Sequence, residues 1–158
     1  MENNNRRVVI TGMGIWSCLG TTLDEVKESL FNGKSGIIFS PERKEMGFES
    51  GLTASVKKPE LKGLVDRAHR VFMPEEAQYA YMSTVDALKM AKLDEDYIEK
   101  HDIGLLFGND SSADAVVKSV DTMREKKSTR LVGSGAIFQS MNSTVTMNLG
   151  CLFKLRGI

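Results

Sequence analysis

Thiols and imidazoles are scarce in this sequence, so the reactive candidates can be weighed one at a time: Cys18, Cys151, His69 and His101. A catalytic cysteine must be held as thiolate by a neighbouring base or by the positive end of a helix. Cys18 falls in an expected loop with no nearby histidine, and Cys151 falls near the end of an expected helix. Both read as small buried hydrophobes. His69 adjoins a basic stretch and His101 an acidic one, and neither sits in a pattern that resembles a catalytic triad. No Cys/His spacing suits zinc, and two cysteines make no disulfide framework. The residues therefore supply no internally convincing catalytic set, no metal site and no cofactor.

Two glycine-containing turns invite a ligand. Gly12-Met13-Gly14 follows an apolar run, but a dinucleotide fingerprint needs a third Gly or Ala where Ser17 stands and a helix that starts at once. The helix is expected only from about Thr22, so these glycines read as shaping a tight turn. Gly108-Asn109-Asp110-Ser111-Ser112 lies where a strand would hand over to a helix, an edge that favours anions. Capping by Asp110 or Ser111 is the simpler reading, and no Walker lysine follows.

The elements that must position these groups alternate in type. Arg7 to Thr11 is a β-branched run closed by Gly12, which predicts a strand. Thr22 and Glu25 form a capping box ahead of Leu23, Val26 and Leu30 on one helical face, with Gly33 as the stop. Ile37 to Phe39 and Leu52 to Val56 predict short strands in an otherwise irregular stretch. Pro74, Glu75 and Glu76 open a slim helix with Ala77, Tyr81, Leu88 and Ala91 on its inner stripe. Asp94 to Asp102 reads as a solvated acidic loop, and Ile103 to Phe107 as the best strand in the chain. A helix with Ala113, Val116, Val117, Val120 and Met123 on one face follows, then a loop, then a last helix with Met141, Val145, Leu149 and Leu152 in a stripe. Strands alternating with amphipathic helices predict an α/β fold with a mostly parallel sheet and crossover helices.

Charge narrows the partners. The 158 residues carry 21 Lys+Arg and 21 Asp+Glu, and that balance argues against nucleic acid, which needs a basic excess. No run is long and apolar enough for a signal peptide or a membrane span, so a cytoplasmic setting is the default. Between Lys57 and Arg70, however, five basic residues face two acidic ones and leave the stretch at +3. Such a patch on a neutral chain can steer an acidic partner.

Taken in order, the motifs resemble the elongating β-ketoacyl-acyl-carrier-protein synthases. The resemblance rests on Arg7 to Ile15 with Ser17 and Leu19-Gly20, then Asn32-Gly33-Lys34-Ser35-Gly36-Ile37, then Gly63 to Arg67 with Phe72-Met73 and Tyr79-Ala80, then Gly104 to Gly108, and last Phe153 to Ile158. It implies the N-terminal half of a thiolase-like fold spanning residues 6–158, behind a disordered tail of residues 1–5. It also implies a decarboxylative Claisen condensation, in which a cysteine takes an acyl group from acyl carrier protein and malonyl carrier protein supplies the carbanion after loss of carbon dioxide. In that family the cysteine, two histidines and a lysine lie beyond the position matched by Ile158, so this stretch alone is expected to be inactive.

Supporting roles are implied for residues that are present. Arg67 matches a basic position that docks the acidic carrier protein, Ala68 departs from the next, Arg70 looks like a displaced one, and Lys62 adds to the patch. Ser111 lies near the acyl-gate position. Ala136 and Ile137 match positions that reach across a homodimer interface to line the partner's acyl pocket, and Gly135 replaces a usually bulky residue. The alternative is a non-catalytic subunit resembling the chain-length factors, separated from the first reading by Cys against Gln or Gly a few positions past Ile158.

Overall fold

The computed structural model describes residues 7–110 and 113–157. The expected tail and Ser111 lie outside the described residues. The chain divides into two compact units, Met1–Ser55 with Ser83–Asp94, and Val56–Met82 with Glu95–Ile158.

In the first unit, α1 (Leu23–Phe31) forms where the capping box predicts. The Thr22 hydroxyl accepts the Glu25 backbone N–H at 3.2 Å, and the Glu25 carboxylate reaches back one residue further than expected, to the Thr21 N–H at 2.7 Å. The C-terminus closes as a Schellman motif: Lys34 N–H donates to Ser29 O and Gly33 N–H to Leu30 O, with Gly33 at φ +62. A hairpin follows, β1 (Ile37–Phe39) and β2 (Leu52–Ala54), antiparallel with Ile38 opposite Thr53; α2 (Pro41–Glu45) lies between the strands. The second half of α4 (Glu75–Ala91) also belongs to this unit.

Gly12 and Gly14 do not act as turn formers. A Cβ on Gly12 would run into the Ala87 carbonyl and Ala91, and one on Gly14 into the Ser83 carbonyl. Ser83, Ala87 and Ala91, four residues apart, make α4 narrow enough for this backbone to lie against it. Gly36 is small for the same kind of reason, since a Cβ there would come within 2.5 Å of Cys18 Sγ.

The core of the second unit joins Leu61, Val65, Met73, Ala77 and Ala80 to Val145 and Leu149, with Tyr81 and Phe153 stacked beside it, ring centroids 5.3 Å apart. Its helices are α3 (Arg67–Arg70), the first half of α4, α5 (Glu95–Lys100), α6 (Ala113–Lys126), α7 (Gly135–Gln139) and α8 (Thr144–Leu152). The acidic stretch expected as a loop is thus helical, because Ile98 is buried and holds α5 down. The expected last helix is two: α7 and α8 are separate, and Met141 lies between them, 43% exposed rather than in the core stripe.

The parallel sheet is the main departure. Arg7 to Thr11 and Ile103 to Phe107 are not strands, and the sheet among the described residues is the β1–β2 hairpin. A β-branched run becomes a strand only when its N–H and C=O groups pair. Val8, at 97% exposed, lies open to solvent. From Ile103 to Phe107 a single bond marks a ladder, Gly157 N–H to Ile103 O at 3.1 Å. No helix of the described residues is long and apolar enough to cross a membrane.

Candidate functional site

Lys62, Arg67 and Arg70 fall on one short surface segment, the turn Leu61–Val65 and the single turn of helix α3 behind it. Leu61 and Val65 are buried and anchor the turn, which leaves Lys62 exposed between them. Asp66 caps α3: its carboxylate accepts the His69 backbone N–H at 2.8 Å and meets His69 Nδ1 at 2.8 Å. These bonds from His69 hold the Asp66 carboxyl below the usual carboxylate range. Arg67 is exposed at the head of the helix, whereas Arg70 is half-buried at its end. The cationic patch therefore has two kinds of member, two free on the surface and one recessed.

Three side-chain amides fix the exit of α3. Gln139 of α7 donates to Val71 O at 2.7 Å, Asn148 of α8 to Phe72 O at 3.1 Å, and Gln78 of α4 to Met73 O at 3.1 Å. Three consecutive carbonyls are thus each satisfied from a different helix, so the arginine-bearing turn is clamped to the core. Phe72 adds an edge-to-face contact with Phe138 at 5.2 Å. Sequence reasoning missed this clamp. Asn148 stands as a polar residue among Val145 and Leu149 in the inner face of α8, which was the one available signal.

Ala136 and Ile137 sit in α7 beside α6, and both line a groove of about 380 Å³ with Val116, Val120 and Met123. The apolar face predicted for α6 exists, but it points outward: Val116 is 49% and Val117 55% exposed, and the buried residue of α6 is Ala115. Gly135 is ordered as the first residue of α7, where a Cβ would press on the Val71 carbonyl at 2.6 Å.

The reactive residues are otherwise employed. Cys18 is half-buried against Gly36, while Cys151 is exposed, contrary to the buried role expected of it. His69 is taken up by the α3 cap, and His101 stacks on Tyr97 with its Nδ1 2.8 Å from the Tyr97 carbonyl. Among the described residues no group of three or more His, Cys, Asp or Glu could hold a metal.

Residues 5–158 match the family model described as the N-terminal domain of β-ketoacyl synthase. The chain belongs to that family. Among curated relatives, the 3-oxoacyl-(acyl-carrier-protein) synthase 1 of Haemophilus influenzae is 36% identical over 154 residues, which is 97% of this chain and 38% of the relative. The crystal structure of a β-ketoacyl synthase from Burkholderia phymatum superposes with a TM-score of 0.80 at 28% identity, over 97% of this chain and 38% of that one. A ketosynthase solved in complex with a type II polyketide acyl carrier protein shares the fold at a TM-score of 0.61 and 18% identity, covering 96% of this chain and 41% of that one. This β-ketoacyl synthase domain thus has the thiolase-like fold of its relatives over their N-terminal part, and spans under half of their length.

Proposed function

We propose that the chain is the N-terminal portion of a cytoplasmic 3-oxoacyl-(acyl-carrier-protein) synthase and that its part in the reaction is to dock and to line. In the reaction proposed, an acyl group passes from a carrier thioester to a cysteine thiolate. The malonyl C–C bond then breaks with release of carbon dioxide, and the carbanion attacks the acyl carbonyl and expels the thiolate. None of these bonds is assigned to a residue described above: Cys18 is packed on glycine, Cys151 is exposed near the end of α8, and both histidines serve as helix-end contacts.

What this chain contributes is the approach of the substrate. Lys62 and Arg67 present exposed cations that steer an acidic acyl carrier protein, and Arg70 stands behind them. Ala136 and Ile137 line the acyl pocket across a homodimer, with Ser111 near its gate. The observation that carries this reading is the amide clamp on Val71, Phe72 and Met73, which gives a four-residue cationic helix a fixed position it could not hold alone. The names of the 36%-identical relatives, and the carrier protein bound to a ketosynthase of this fold, support it.

The test is a titration with acyl carrier protein at low and at physiological salt. Arg67→Glu should weaken binding at least tenfold and flatten the salt dependence, while Lys89→Glu, on an exposed part of α4, should leave it unchanged. Equal loss in both variants, or in neither, would refute docking at α3.

A further inference from the structure

A cavity of about 220 Å³ in the second unit takes its walls from α5, the end of α8 and Tyr81 of α4. Two chemistries meet in it. Buried Ile98 and the stacked rings of Tyr81 and Phe153 are apolar, whereas Glu95, Glu99 and Lys154 are charged and exposed. The volume suits a small organic molecule, since a cavity of about 150 Å³ is enough to hold benzene.

The charges do not cancel. Lys154 Nζ donates to Glu99 Oε1 at 3.2 Å and so joins the end of α8 to α5. It does this from a left-handed backbone, φ +54, at the position after a helix where glycine is the usual residue. Glu95 makes no ion pair or side-chain hydrogen bond among the described residues, while its neighbour Asp96, outside the cavity wall, is held by Lys100 at 2.6 Å. Two carboxylates and one ammonium leave the rim with one negative charge. An acidic carrier protein is repelled by such a rim. A metal ion finds too few ligands, because no group of three His, Cys, Asp or Glu is gathered among the described residues. An apolar wall under a rim of net negative charge is complementary to a small molecule with a hydrophobic body and one positive charge.

We infer that this cavity binds a small organic ammonium ion, its body against Ile98 and the Tyr81–Phe153 pair and its charge at Glu95. The inference does not rest on carrier docking at α3.

The experiment titrates the chain with benzylamine at neutral pH and constant ionic strength, followed by the Tyr81 ring resonances. Saturable binding is expected. Benzyl alcohol keeps the ring and loses the charge, methylamine keeps the charge and loses the body, and each should bind at least fivefold more weakly. Glu95→Gln should weaken benzylamine binding about fivefold, the upper end for an exposed ion pair. Lys154→Asn removes the competing cation with a residue that tolerates a left-handed backbone, and should strengthen binding about threefold. Asp96→Asn takes the same charge from the same helix outside the cavity and should change affinity less than twofold. Near-UV circular dichroism reports that each variant folds. A shift that does not saturate, or benzyl alcohol binding as tightly as benzylamine, overturns the inference. So does weaker binding in Lys154→Asn, or a loss in Asp96→Asn equal to that in Glu95→Gln, which would mean a diffuse acidic field.

Discussion

Asn148 offers the sharpest test of how the cationic turn is held. Its side chain is 5% exposed and its amide donates to Phe72 O at 3.1 Å and to Thr144 O at 2.8 Å. Thr144 lies in the first turn of the same helix, whereas Phe72 is 76 residues away and has this amide as its partner. Asn148→Ala leaves the carbonyl of half-buried Phe72 without its side-chain donor, and a carbonyl left unsatisfied away from water costs about 1–3 kcal/mol. Near 2 kcal/mol, the melting temperature of a domain this size falls by roughly 4–8 °C. Urea unfolding followed by circular dichroism would measure it. A loss under about 0.5 kcal/mol, the scale of an ordinary surface change, refutes the clamp. Asn148→Asp adds a sign. Ionised, its carboxylate faces two carbonyl oxygens, so the folded state favours the protonated form and raises the pKa above the unfolded value. The deficit against Asn is then absent below about pH 3.9 and grows as pH rises through the folded pKa. A pH-independent deficit contradicts the geometry.

Three further outcomes are expected. Gly14→Ala, which presses on the Ser83 carbonyl, should destabilise by several-fold more than Gly33→Ala, whose left-handed position costs about 1–2 kcal/mol; parallel denaturation curves compare them. Asp66, held below its ordinary value by His69, contributes stability to α3 above about pH 3.9 that is lost as pH falls through its lower folded pKa, visible as a lower protection of the His69 amide in acid relative to its intrinsic exchange rate at the same pH. Ile137→Asp should reduce self-association of the chain in sedimentation velocity, since Ile137, Val117 and Met141 leave an open apolar surface on the second unit.

Features decided by neighbours in the chain were legible in the residues. Thr22, Glu25 and Gly33 mark both ends of α1, Ile37 to Phe39 and Leu52 to Ala54 are strands within the ranges expected, and Ala77 of the expected α4 stripe is buried. The rest depends on partners distant in sequence. Val8 to Ile10 has the composition of a strand, yet pairing is a property of two segments and one of them cannot be read from the other. Gly12 and Gly14 resemble turn formers because only the position of α4 shows what a Cβ would strike. The outward face of α6 was right in period and silent in direction. Of the candidate site, charge marked only the stretch from Lys57 to Arg70, and the family resemblance singled out Lys62, Arg67 and Arg70 within it; the amides of Gln78, Asn148 and Gln139 arise from contacts across the fold.

The central claim is that this domain positions carrier-borne substrates and leaves bond making to groups outside the residues described. Incubating the chain with radiolabelled acyl carrier protein and malonyl carrier protein tests it most directly. The expected result is carrier binding with no label transferred to Cys18 or Cys151 and no carbon dioxide released; an acylated thiol or a condensed product formed by the chain alone would contradict it.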